Sequence, residues 1–396
     1  MFFTPNQVAL AISLLSTTVY SSPTPILNEI TPVLAKRATC TPAPAGYSST
    51  DDVPAITAAI KSCGNGGTIV FPAGVQYSIR STLDFTGCSG CTINIEGTLK
   101  VSDDLAYWEG KRAIFYMNGI KTATMQSLTG TGVIDGNGQA AYDYFAQNSS
   151  YARPTLHYIT GSSSGITIKN LQVKNPPNVF FSVTGSSSNI VYSGLTMTAK
   201  SKSDYAPKNT DGFDVGASTN VIPGANYVTV NGISCTGSHG ISVGSLGGGA
   251  GSTDTVKNVY VSSATMINST KAVGIKLYPG GYAHGTAVVS NVTFDGVTVK
   301  NCDWAAQIQS CYGEDTSYCS STPSTASVTG VYFKNFKGTT SSKNAPSVAN
   351  LDCPAAGTCD INFSNWAVTP TSGSAKFLCA NVDSSTGLTC TSGASG

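Results

Sequence analysis

The sequence predicts an all-β solenoid: one parallel β-helix, closed at its start by a short capping helix. Three observations carry that expectation. Charged residues make up only 11% of the 396, while Gly reaches 42, a balance that suits short strands and polar turns rather than long helices. A loose unit then recurs: a β-branched apolar triplet, a turn through Asn or Gly, and a second short strand. It reads "GITIKNLQV" (165–173), "NIVYSGLTM" (189–197), "NYVTVNGIS" (226–234), "NVYVSSATM" (258–266), "NVTFDGVTV" (291–299) and "GVYFKNFKG" (330–338), with starts 24, 37, 32, 33 and 39 residues apart. Units of this length bury their apolar faces only by stacking on one another. A β-propeller needs four strands per repeat, more than these units hold.

The first residues stand outside that pattern. Met1 to Ser22 carries the apolar run "VALAISLLSTTV" followed by Tyr20-Ser21-Ser22, which reads as a secretory signal peptide spanning residues 1–22. The run is too short to cross a membrane. Residues 23–37 end at Lys36-Arg37, a dibasic cut that would leave residues 38–396 as one mature domain. Removing Lys36, Arg37 and Glu29 takes 22 basic and 21 acidic residues to 20 of each. A near-neutral surface gives nucleic acid nothing to hold.

Next, "SSTDDVPAITAAIKSCGNGG" reads as the capping helix, with Ser49 to Asp52 as cap candidates, Pro54 in the first turn and Gly64 to Gly67 as the stop. "GTIVFPAG" follows as the first buried strand. Twelve cysteines in a secreted chain imply disulfides. Proximity pairs Cys40 with Cys63, Cys88 with Cys91, Cys311 with Cys319, Cys353 with Cys359 and Cys379 with Cys390, leaving Cys235 and Cys302 over. A single Cys-x-x-Cys with no His beside it makes a poor zinc site, so no metal and no cofactor are expected. N-glycosylation sequons stand at Asn148, Asn268, Asn291 and Asn362.

In a chain so poor in charge, an ionisable residue inside a strand attracts attention. Asp211 and Asp214 in "KNTDGFDV" lie three apart, and each, beside glycine, can equally serve as a turn residue. His239 in "CTGSHGISVGS" has only small neighbours and an open approach. Lys276 in "AVGIKLYPGG" must turn its charge outward, towards an anionic ligand or towards water. Tyr312 in "IQSCYG" can stack on a sugar ring or pack at a strand end. His157 and His284 are expected to be turn residues satisfied by local hydrogen bonds.

Taken together, "NTDGFD", "GSHGISVGS", Ile275-Lys276 and "GVIDGNG" (132–138) resemble glycoside hydrolase family 28, the polygalacturonase-type pectinases, from about residue 40 onward. "NPPNVF", "ATMINSTKA", "GIKLYPGG", "NLDC" and the ending "CTSGASG" are similar to its fungal endo-xylogalacturonan hydrolases. The resemblance implies a right-handed, single-stranded parallel β-helix of the pectin lyase type. It implies a secreted monomer that hydrolyses α-1,4-galacturonosyl linkages with inversion, a protonated carboxyl on one side of the bond and a carboxylate-activated water on the other. By motif, Asp211 is a water-activating base, His239 assists the acid, and Lys276 and Tyr312 bind substrate. A pectate lyase of the same fold needs acidic calcium ligands, and the sequence shows no such cluster.

Two departures stand out. The family's Arg-Ile-Lys reads Gly274-Ile275-Lys276 here, which is expected to remove a carboxylate clamp and open room for xylose branches. Secondly, the family carries an Asp-Asp-Cys triplet between the first Asp and the His, supplying the acid and the second base; this chain has none. Asp211 and His239 are 28 residues apart, short by roughly 15 to 20 on the repeat logic. The text runs from "STNV" straight into "PGANYV", as though one coil's beginning were spliced to the next, and Cys235 loses its partner. Asp204, Asp214 and Asp254 have no motif match as replacement acids. The expectation is a coil missing at Val221–Ile222, with a distorted segment over residues 217–226.

Overall fold

The computed structural model describes residues 37–216, 224–383 and 386–396. The leader, and residues 217–223 at the expected junction, lie outside the described residues; residues 224–226, also expected to be distorted, instead begin the strand Gly224–Asn231, paired in register with residues 255–257. Arg37–Gly396 forms one unit.

Every ladder in it is parallel. From residue 68 onward each early coil contributes one short strand to each of three sheets. Successive rungs of one sheet are Thr68–Phe71, Ser89–Ile95, Lys121–Gln126, Ser164–Lys169 and Ser188–Ser193. Crossovers between parallel strands turn right-handed, so the coils wind into a right-handed β-helix. Side chains alternate across each strand, and the inward set stacks in register: Ile69, Ile93, Met125, Ile168, Tyr192. A second inward column runs Leu83, Phe115, His157, Phe181, Phe213.

The later coils differ from the expected pair of short strands. "NVYVSSATM" lies inside one strand, Thr253–Ile267, and "NVTFDGVTV" inside another, Thr286–Cys302. Residues with positive φ bend these strands without breaking the ladder, for instance Asn258 at 55° and Gly296 at 68°. Asparagine tolerates this left-handed region because its short amide bonds locally. Here the amides also stack from rung to rung: Asn291 donates to Asn258 at 2.6 Å, Asn301 to Asn268 at 2.8 Å, and Asn365 to Asn335 at 2.6 Å. Of the sequons, Asn268 and Asn291 belong to these amide stacks yet are exposed, as Asn148 is, while Asn362 is half-buried in the strand Thr358–Thr369.

Val53–Cys63 is the capping helix. It lays Val53, Ile56, Ala59, Ile60 and Cys63 on the first coil, and a disulfide from Cys63 to Cys40 fixes it there. Asp52 is not its side-chain cap. The carboxylate turns away and accepts from the Ala45 and Ser78 amides, both at 2.7 Å, tying the helix start to the sheet. Further disulfides join Cys88 to Cys91, Cys311 to Cys319, Cys353 to Cys359 and Cys379 to Cys390. Cys235 and Cys302 are free thiols, Cys302 buried. Among the described residues no helix is long and apolar enough to cross a membrane.

Among the described residues the stack is interrupted once. All three early sheets end on the coil Ser188–Ser193, Thr196–Thr198 and Phe213–Val215, and the later sheets begin afresh at Gly224–Asn231 and Ile241–Leu246. Among the described residues no ladder joins the two sets, and the core divides into two clusters at the same place. Burial registers the break. Ile166 and Ile168 are 0% exposed, but Ile190 and Tyr192, in register one rung on, are only partly buried. Across the break Val228 and Val230 are partly buried, whereas Val261 one rung further in is 0% exposed.

His157 departs from expectation. It is not a turn residue but part of the strand Thr155–Thr160, 1% exposed, and neither ring nitrogen has a hydrogen-bond partner. His284 does find one: Nε2 meets the Glu314 carboxylate at 3.1 Å, and the ring stacks on Tyr278.

Candidate active site

The site grows on the outer face of the sheet that begins with Ile241–Leu246, Lys271–Leu277 and Trp304–Gln309. Val273, Ile275 and Leu277 point inward and are 0% exposed, so the residues between them face out. Gly274 is in register with Gln307, and Lys276 with Gln309, which sets a row of polar groups across adjacent rungs.

His239 is exposed in the turn that enters this sheet. The turn is pinned to the next coil: Ser238 N–H donates to Ser269 Oγ at 3.1 Å, and Thr270 N–H to the Ser238 carbonyl at 2.9 Å. Gly240, at φ +89°, follows directly, and a Cβ there would lie 2.4 Å from the Lys271 carbonyl oxygen. Only glycine lets the strand start so close to its neighbour. Tyr312 N–H donates to the Leu277 carbonyl at 3.0 Å, which brings its ring to Lys276, whose Nζ lies 5.2 Å from the ring centroid.

One pocket therefore collects His239, Lys276 and Tyr312, together with Lys271, Trp304, Gln307 and Gln309; Asp303 and Lys343 also line it. Asp303 is already paired, accepting from Lys343 at 2.9 Å and from Ser341 at 2.8 Å. Lys271 and Lys276 have no carboxylate within ion-pair distance among the described residues. The pocket's uncompensated charge is positive, as an acidic polymer requires.

Asp211 is not part of that wall. It sits at the last early coil, where its carbonyl accepts from Phe180 N–H at 2.9 Å. Near it in the chain is Asp214, on the strand Phe213–Val215. Although one side of Asp214 meets water, its surroundings push its carboxyl up to about 6: burial first, then the Asp211 charge, opposed by Lys276. Asp214 thus feels Asp211 on its own side of the break and Lys276 on the other. Asp214 closes the word "NTDGFD" but has no motif match as an acid, and its distinction arises only once the fold sets it between a like and an unlike charge.

A second correction concerns Gly274. The room above it is not open. A Cβ at Gly274 would meet the Lys271 side chain, 2.8 Å from Cδ and 3.0 Å from Cε. Lys271 lies along the surface that the missing side chain leaves, so the exchange to glycine does not widen the groove at this point. Sequence reasoning passed over Lys271. A glycine inside an otherwise apolar strand is the signal of a close approach that would have found it.

The family model for glycosyl hydrolases family 28 matches residues 63–390. The chain belongs to that family. It is similar to "Endo-xylogalacturonan hydrolase A" of Aspergillus tubingensis, 57% identical over 376 residues, which cover 91% of this chain and 92% of that protein. The crystal structure of the Aspergillus tubingensis endo-xylogalacturonan hydrolase superposes with a TM-score of 0.87 at 56% identity, covering 91% of this chain and all of the other. The "Probable endo-xylogalacturonan hydrolase A" of Aspergillus fumigatus aligns at 53% identity over 410 positions, covering 99% of both chains. Those 410 positions exceed the 396 residues of this chain by 14, so the relative holds at least that many residues opposite gaps here. A shortfall of that size is in the range expected for a partial coil.

Proposed function

We propose that this protein is a secreted inverting hydrolase of xylose-substituted galacturonan, cutting α-1,4-galacturonosyl linkages in plant cell-wall pectin. The observation that carries the reading is the pocket of uncompensated cations beside His239, in a chain more than half identical to proteins named for that substrate. Lys276 binds a galacturonate carboxylate, and Tyr312 steadies both that lysine and the sugar face. Asp211 serves as a base for the attacking water. The acid and the second base belong to the coil that this chain lacks at Val221–Ile222, so the 396-residue protein holds its polymer better than it cleaves it.

Incubation with xylogalacturonan and with unsubstituted polygalacturonate tests the substrate. Galacturonate–xylose fragments, however slowly released, are expected. Release from the plain polymer alone would make the protein an ordinary polygalacturonase. Sequencing the transcript across the Val221–Ile222 junction tests the missing coil: a message with additional codons there supports it, and a message without them favours a wall-polysaccharide binder.

A further prediction concerns Lys276. Lys276→Met removes one charge-assisted contact to the polymer and is expected to weaken binding of oligogalacturonate by roughly 10- to 100-fold. Titration calorimetry reads the change. An affinity unaltered by the substitution would remove Lys276 from the binding site.

A further inference from the structure

Lys271 is the one lysine or arginine that the fold buries among the described residues, at 4% exposure. Its stem runs through a channel made by two glycines. A Cβ on Gly240 would stand 2.9 Å from its Cγ, and one on Gly274 would stand 2.8 Å from its Cδ. The ammonium ends in the pocket wall beside His239 and Lys276. Its hydrogen-bond partner is Gln309 Oε1 at 3.4 Å, a long contact to a neutral amide.

As a structural device this is poor. Enclosing an ammonium is costly unless it is paired, and a second ammonium nearby adds repulsion. Burial, and then Lys276, push Lys271 down to about 8. A methionine would fill the same channel without either penalty. The arrangement makes sense for an anion that enters the pocket, since a carboxylate between two ammonium groups relieves their repulsion and satisfies both.

We propose that Lys271 and Lys276 together form a receptor for one free uronate carboxylate, with Lys271 the residue that selects acid over ester at that position. This rests on the galacturonan reading above. A methyl ester offers no charge and would leave both ammonium groups facing a neutral group. The pocket should therefore take unesterified galacturonate and reject methylated stretches of the same polymer.

The test is titration calorimetry of the full chain with hexagalacturonate and with its methyl ester, beside thermal melting. Wild-type protein is expected to prefer the acid. Lys271→Met should bind the acid 10- to 100-fold more weakly, bind the ester as before, and melt at the same or a higher temperature. Acid binding within about twofold of wild type would overturn the role of Lys271 and leave the galacturonan reading intact. Equal loss for acid and ester with a lower melting temperature would make Lys271 structural and overturn it too. Wild-type protein that takes up neither hexamer would sink the galacturonan reading itself, and the inference with it.

Discussion

Insertion of one β-helix coil between Val221 and Ile222, carrying an Asp-Asp-Cys triplet, is expected to raise turnover of xylogalacturonan roughly 10²- to 10⁴-fold. It should also lift the melting temperature by on the order of 5 °C. The catalytic gain follows from what the inverting reaction needs, a protonated carboxyl on one side of the scissile bond and a carboxylate-held water on the other. Asp211 and Asp214 sit together on one lip of the break, where the first raises the second. Two groups on one lip do not flank a sugar, and the inserted triplet would supply the group facing them.

The gain in stability follows from burial. A solenoid coil hides its inward side chains only under its neighbours. At the break Ile190, Tyr192, Leu195, Met197 and Phe213 on one lip, and Val228, Val230, Ile233, Ile241 and Leu246 on the other, are all left partly buried. Completing the burial of such side chains is worth roughly 1 kcal/mol each. The inserted cysteine should take Cys235 as its partner, so thiol titration would fall from the two free cysteines, Cys235 and Cys302, to one. Turnover unchanged by the insertion would mean that Asp211 and Asp214 already complete the acid–base pair. A lower melting temperature would mean that the two lips are not built to receive a coil.

How far the sequence revealed this molecule differs between its fold and its site. The fold was legible because each rung repeats the same local chemistry: β-branched residues at alternate positions, then an asparagine or glycine that accepts positive φ. Asn258, Asn291 and Asn335 announce their turns in this way. What the pattern hid is that the later rungs bend without ending, since a left-handed residue reads the same in a bend as in a turn. In the site, His239, Lys276 and Tyr312 stand in recognisable words and meet in one pocket. Lys271 and Asp214 stand in such words too, "ATMINSTKA" and "NTDGFD", but those words do not reveal what either residue does. The importance of Lys271 comes from two glycines on different coils, and that of Asp214 from charges on either side of a break. No short motif can hold relations between rungs.

His157 is the other instance, and it yields the second large effect. His157→Phe is expected to stabilise the protein, and far more at pH 4 than at pH 7.5. The ring lies in the inward column between Phe115 and Phe181, 6.4 and 5.5 Å away centroid to centroid, with Phe213 stacked beyond Phe181. Burial pushes its imidazole down to about 3, against about 6.5 in an unfolded chain. Between those values the unfolded chain binds a proton that the native state refuses, so stability rises with pH across the interval and is lost as pH falls through it. At pH 4 that loss is on the order of 3 kcal/mol. Above about 6.5 the linkage vanishes, leaving the cost of two buried, unpartnered nitrogens, about 1–3 kcal/mol. Phenylalanine continues the aromatic column and carries neither penalty. Denaturant titrations of both proteins at the two pH values measure the difference. A gain of equal size at pH 4 and pH 7.5 would show that the native state lets His157 take up its proton, through an opening of the coil that the closed column does not provide.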